Sequence, residues 1–122
     1  MIASMGYLVI NANDANALAH FWAQVLGAEL DYVVGEGEFV VLTRPEAGLP
    51  IVFQRVAEPH SSPNRLHLDL IVSDLEAATA AVLALGGRWH AEGRTHELDG
   101  YRWRTMLDPE GNEFDLQVQP VA

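Results

Sequence analysis

Two stretches with helical periodicity stand out along the chain, and each follows an alternating, strand-like run. From Asp14, the apolar residues Leu18, Phe21, Trp22, Val25 and Leu26 recur at the spacing of an amphipathic helix, and Gly27 stands where such a helix stops. From Asp74, an Ala-rich run places Leu75, Ala78, Val82 and Leu85 on one face, and Gly86-Gly87 closes it. Asp14 and Asp74 each offer a carboxylate to the free N–H groups of a first turn, so helices are predicted over 14–26 and 74–85. Strands are predicted over 7–12, 29–34, 38–44, 51–56, 66–72, 88–92, 102–107 and 113–119. Alternation separates their faces. Leu8 with Ile10, Leu66 with Leu68, Leu70 and Val72, and Phe114 with Leu116 and Val118 form apolar rows that should pack beneath the helices. Tyr7, Gln54, His67, Asp69 and Asp115 fall on the mixed face and should line the other side.

The pattern repeats. Tyr7-Leu-Val-Ile-Asn-Ala-Asn-Asp14 matches His67-Leu-Asp-Leu-Ile-Val-Ser-Asp74, and both helices end in Leu-Gly. Thr43-Arg44-Pro45-Glu46 matches Leu107-Asp108-Pro109-Glu110, and Val52-Phe53-Gln54 matches Glu113-Phe114-Asp115. The expected architecture is α+β within a single domain over 1–122. It comprises a first βαβββ repeat over 5–56, a Pro- and Ser-containing linker over 57–64, and a second repeat over 65–119. The two sheets should form one curved mixed sheet around a concave cavity, with the helices on the convex side. A concave face of that kind is where a small ligand would bind.

Composition narrows the partners. The chain has 122 residues, seven Arg and no Lys, against seventeen Asp and Glu, for a formal charge of −10. Such a surface disfavours nucleic acid and anionic membranes, both of which need clustered basic side chains. No apolar run reaches the ~20 residues of a membrane span and no basic segment precedes a signal-like run, so a cytoplasmic location is expected. With no Cys, thiol catalysis and thiolate metal sites are excluded.

Three segments together resemble the vicinal oxygen chelate superfamily, which includes glyoxalase I, extradiol dioxygenases, and fosfomycin- and bleomycin-resistance proteins. They are Tyr7…Asp14…Phe21-Trp22…Leu26-Gly27, Asn64-Arg65-Leu66-His67-Leu68-Asp69-Leu70, and Asp108-Pro109-Glu110-Gly111-Asn112-Glu113-Phe114. The likeness is greatest to small actinobacterial-type glyoxalase-like domains and covers nearly the whole chain. By this resemblance the metal positions fall on the first and fourth strands of each half, at Tyr7 and His67 and at Gln54 and Asp115. His67 and Asp115 are strong donors and Gln54 offers an amide oxygen, whereas Tyr7 departs from the pattern because a phenol of pKa ~10 seldom ionises for Zn, Ni or Mn. The resemblance therefore implies either one divalent metal (Zn, Ni, Mn or Fe) on His67, Gln54 and Asp115, or none.

Two functions follow. One is a metal-assisted lyase, isomerase or dioxygenase in which His67 and Asp115 act at the reacting centre. The other is a metal-free protein that sequesters a drug or metabolite, as bleomycin-resistance proteins do, through Tyr7, Phe39, Gln54, His67, Asp69, Trp103 and Asp115. Phe39 and Trp103 hold equivalent places in the third strands; the resemblance turns those places toward the cavity, where the pair would clamp a flat or apolar ligand, with core packing or dimer burial as the alternative. Arg102 and Arg104 alternate away from Trp103 and are expected to flank the cavity. His20, His60, His90 and His96 share no spacing and are expected mostly at the surface, and Gly111 should serve a tight turn. Exposed sheet edges point to a homodimer.

Overall fold

The computed structural model describes residues 2, 5–43, 48–62 and 64–121. It divides into two compact units, Met1–Pro59 and His60–Ala122. The first contains β1 (Leu8–Ala12), α1 (Ala15–Leu26), β2 (Glu29–Val34), β3 (Phe39–Thr43) and β4 (Ile51–Arg55). Its sheet runs β1-β4-β3-β2, with β1 and β4 parallel and the other pairs antiparallel. Asp14 caps α1 by accepting a 3.0 Å hydrogen bond from the Ala17 N–H. Gly27, at φ 63°, closes the helix by donating its N–H to the Ala23 carbonyl, a conformation that costs a side-chain-bearing residue ~1–2 kcal/mol. The helix lies against β3 and β4 and buries Leu18, Phe21 and Trp22, the two rings meeting edge-on at 5.5 Å. Beneath it, Val40, Leu42 and Phe53 are fully buried, each worth roughly 1.5–3 kcal/mol of transfer free energy. The last residue of the strand expected over 38–44 and the matched segment Arg44-Pro45-Glu46 lie outside the described residues.

The second unit contains β5 (Leu68–Ile71), α2 (Leu75–Ala84), β6 (Arg88–Trp89), β7 (His96–Leu98), β8 (Tyr101–Leu107) and β9 (Glu113–Val118). Its sheet runs β5-β9-β8-β6, β5 and β9 are parallel, and β7 also pairs with β8. Asp74 caps α2 through Ala77, and Leu75, Thr79 and Val82 face inward above Met106, Phe114 and Leu116. In the turn after β8 the fully buried carboxylate of Asp108 accepts from the N–H groups of Glu110 and Asn112 and from the Asn112 amide. Gly111, at φ 86°, makes that turn possible.

Both units are therefore βαβββ, as expected, with two corrections. The strand expected over 88–92 ends at Trp89, and an additional strand, β7, follows at 96–98. The Asp99-Gly100 pair, at φ 52° and 84°, turns β7 into β8 as a tight hairpin. The second correction concerns register. Val9, Val52 and Val41 stand abreast in the first sheet, and Asp69, Asp115 and Thr105 stand abreast in the second. Likewise Asn11, Gln54 and Phe39 correspond to Ile71, Gln117 and Trp103. Phe39 and Trp103 are thus equivalent, as expected, but the counterpart of Gln54 is Gln117 and that of Asp115 is Val52. No helix among the described residues is long and apolar enough to cross a membrane.

Candidate functional site

The second unit carries a polar row where the first carries valines. Asp69, Asp115 and Thr105 point to the face of the sheet away from α2, and His67 stands at the entry to β5 on that same face. His67 Nδ1 lies 3.0 Å from Asp69 Oδ1 and 4.0 Å from Asp115 Oδ2. Thr105 Oγ1 donates a 2.7 Å hydrogen bond to Asp115 Oδ1, which leaves Oδ2 turned toward the histidine. Burial pushes the Asp115 carboxyl above its ordinary range; the Thr105 hydrogen bond and the His67 ring oppose that rise. Asp115 is the enclosed member, with its side chain 14% exposed against 49% and 46% for His67 and Asp69.

One ligand atom from each of His67, Asp69 and Asp115 lies within 4.8 Å of the other two. Donors on one divalent ion stand ~3–4 Å apart when bonds are ~2.0–2.2 Å long, so small side-chain rotations close this set. One imidazole and two carboxylates suit Mn, Fe or Zn. The donor set fits a divalent metal.

A cavity of about 400 Å³ opens beside this row and exists because the edge pairing of β8 is interrupted. After Trp89 the chain leaves β8, keeps one bond from the His90 N–H to the Thr105 carbonyl, turns at residues 91–94, and returns at His96. His67, Thr105 and Asp115 line one part of the cavity, and His90, Arg94 and Trp103 line another. His96 stacks on Trp103 with ring centroids 5.2 Å apart and planes within 14°. Glu113 also reaches the cavity, and its Oε1 accepts a 3.3 Å bond from the Asn64 N–H. A second recess of about 490 Å³ shares His67, Trp103 and Asp115 and extends past Leu98 and Tyr101.

His90 and His96, expected merely to be surface residues, thus belong to the site. The Asp99-Gly100 turn was the available signal, since it implies a strand carrying His96 back alongside Trp103. Arg104 is the opposite case. It does not flank the cavity but lies on the α2 side of the sheet with its side chain 9% exposed. There it donates to Thr95 Oγ1 at 3.0 Å, to Thr79 Oγ1 at 2.9 Å and to Glu76, with the guanidinium 5.1 Å above the Trp89 ring centre. The hydrogen bond and charge of the Arg104 guanidinium hold the Glu76 carboxyl below its usual range. Tyr7, Phe39 and Gln54 belong to the first unit, where Tyr7 precedes β1 and is 58% exposed, and Gln54 pairs with Phe39 across β4 and β3.

The family model for the glyoxalase-like domain matches residues 7–117, nearly the whole chain. The chain belongs to the glyoxalase-like family. Its fold is that of the vicinal oxygen chelate superfamily, and solved structures agree at fold level. A glyoxalase/bleomycin resistance protein/dioxygenase family enzyme from Burkholderia phytofirmans superposes with a TM-score of 0.76 at 20% identity, covering 95% of this chain and 98% of that one. The fosfomycin resistance protein FosX from Listeria monocytogenes, solved with Mn(II) and a dihydroxypropylphosphonic acid, gives 0.78 at 18% identity, covering 99% and 94%. An oxidase gives 0.63 at 18% identity, covering 100% and 98%. No protein of curated function matches this glyoxalase-like chain by sequence.

Proposed function

We propose that this glyoxalase-like protein is a metal-assisted enzyme acting on a small oxygenated molecule, with His67, Asp69 and Asp115 holding one divalent ion. The observation that supports this reading is the donor set itself, three strong ligands on neighbouring strands at the edge of a ligand-sized cavity. Asp69 here takes the place that the resemblance gave to Gln54. A divalent ion at this position supplies Lewis-acid polarisation of paired substrate oxygens. The protein supplies the rest. Thr105 fixes the Asp115 carboxylate, the Trp103–His96 stack excludes water from one wall, and Glu113 is the remaining carboxylate placed to accept a proton. The FosX relative, whose structure contains Mn(II), is consistent with this chemistry.

A metal-free binding role is the second reading. It is favoured by the 3.0 Å His67–Asp69 approach, which pairs the two donors with each other. Elemental analysis decides between them, using protein purified without metal-affinity resin and dialysed against a mild chelator. Retention of roughly one ion per chain, lost in Asp69→Ala and Asp115→Ala, is the expected result. Protein that emerges without metal, and shows no heat on titration with Mn, Fe, Ni or Zn, refutes the enzyme reading in favour of sequestration.

A further inference from the structure

We infer that the cavity beside β8 selects a planar aromatic ligand bearing an anionic group, with Arg94 as the residue that recognises the charge. This rests on the cavity being a small-molecule site, as proposed above, but not on metal being present. In a chain of net charge −10 with no Lys, the bulk field repels anions. A cationic side chain on the wall of a ligand-sized cavity therefore acts as a local exception. Arg94 lines that wall and makes no ion pair among the described residues, whereas Arg55 and Arg104 are each matched to a glutamate. Guanidinium geometry suits a carboxylate through two parallel hydrogen bonds.

The loop that presents Arg94 is tied down. Gly93 adopts φ 74°, the Arg94 N–H returns to the Ala91 carbonyl at 3.1 Å, and Thr95 is held by the buried Arg104. This anchoring limits the ordering cost of binding, which falls on each side chain that must be immobilised. Beside Arg94 stands the flat wall made by Trp103 and His96, which offers a face for stacking a conjugated ring. The volume of about 400 Å³ accommodates one or two fused rings. Asp115 and Glu113 lie elsewhere on the lining, so a ligand anion is repelled from them and its charged end is directed to Arg94.

The test uses 1-naphthoate and 1-naphthalenemethanol, which share a ring system and differ in charge. Each is titrated calorimetrically, in chelator, into metal-stripped wild type, Arg94→Gln and Trp103→Leu. The expected result is that metal-stripped wild type binds the acid about tenfold more tightly than the alcohol. Arg94→Gln should abolish that preference while leaving alcohol binding intact, and Trp103→Leu should weaken both. Equal wild-type affinities, an acid preference that survives Arg94→Gln, or absence of binding by both probes overturns the inference. Loss of the metal reading by elemental analysis leaves the acid-to-alcohol ratio in stripped protein unaffected, so the two failures are distinguishable.

Discussion

Replacing Arg104 by alanine removes a guanidinium that has almost no access to water yet meets three acceptors. Its charge-assisted bond to the buried Thr79 hydroxyl, at 2.9 Å, contributes about 1.5–3 kcal/mol, and the 3.0 Å bond to the exposed Thr95 hydroxyl contributes less because water competes for it. Stacking over Trp89 and the buried aliphatic stem contribute a further ~1–2 kcal/mol. Allowing for non-additivity, Arg104→Ala should cost about 3–5 kcal/mol, a large part of the ~5–15 kcal/mol typical of a domain. Arg104→Met keeps the stem and adds apolar contact, so its cost should be only about 1–3 kcal/mol. Glu76→Gln should cost far less than either, because that side chain is 79% exposed and solvent replaces what it gives. Urea unfolding followed by circular dichroism gives all three values from midpoints at constant m. If Glu76→Gln destabilises as much as Arg104→Ala, the ion pair and not the buried bond to Thr79 with the Trp89 packing governs this cluster, and the reasoning fails.

Other expectations follow from the same geometry. Because burial raises the Asp115 carboxyl, the folded state keeps its proton to higher pH than the unfolded chain does, and its contribution to stability declines as pH rises through that raised value. Asp115→Asn should therefore stabilise metal-free protein at neutral pH and flatten the decline, as urea midpoints taken in chelator from acid to neutral pH would show. Gly111→Ala forces a side chain into φ 86° and should cost ~1–2 kcal/mol, read as a lowered melting temperature. We propose a homodimer in solution, and light scattering should return about twice the 13.4 kDa of one chain; a value near one chain at micromolar concentration refutes it.

What was legible in the sequence depended on how local the determinant was. Asp14 and Asp74 cap helices three residues away, and Gly27 stops one, so these elements appear where the pattern places them. Alternation also assigned Phe114 and Leu116 to the core and Asp115 to the far face correctly. Register was harder to read. Two phenylalanines, Phe53 and Phe114, invite a match of Gln54 with Asp115, whereas the ladders within each sheet make Leu116 the counterpart of Phe53 and shift the correspondence by two residues. An aromatic identity is weaker evidence than a hydrogen-bonded ladder, because either residue fills a core position. The place of Arg104 is not legible in the sequence, because its partners Thr79 and Thr95 come from a helix and a loop outside β8 and nothing in the pattern of β8 announces a cation on the apolar side. The cavity itself arises from a break in pairing between Trp89 and His96, which strand propensity alone does not reveal.

The short strand β7 has a kinetic consequence. Three residues, His96–Leu98, pair it with β8, and the Asp99-Gly100 turn joins the two strands. Openings of such small, solvent-exposed segments require much less free energy than global unfolding. When β7 detaches, His96 leaves Trp103 and one wall of the cavity swings aside. Hairpins of this size re-form in ~1–10 μs, so entry and departure of a bound molecule can be timed by the fraying of three residues while the sheet around it stays intact. Amide exchange at β7 should then be fast in the free protein and slow in step with the residence time of whatever the cavity holds.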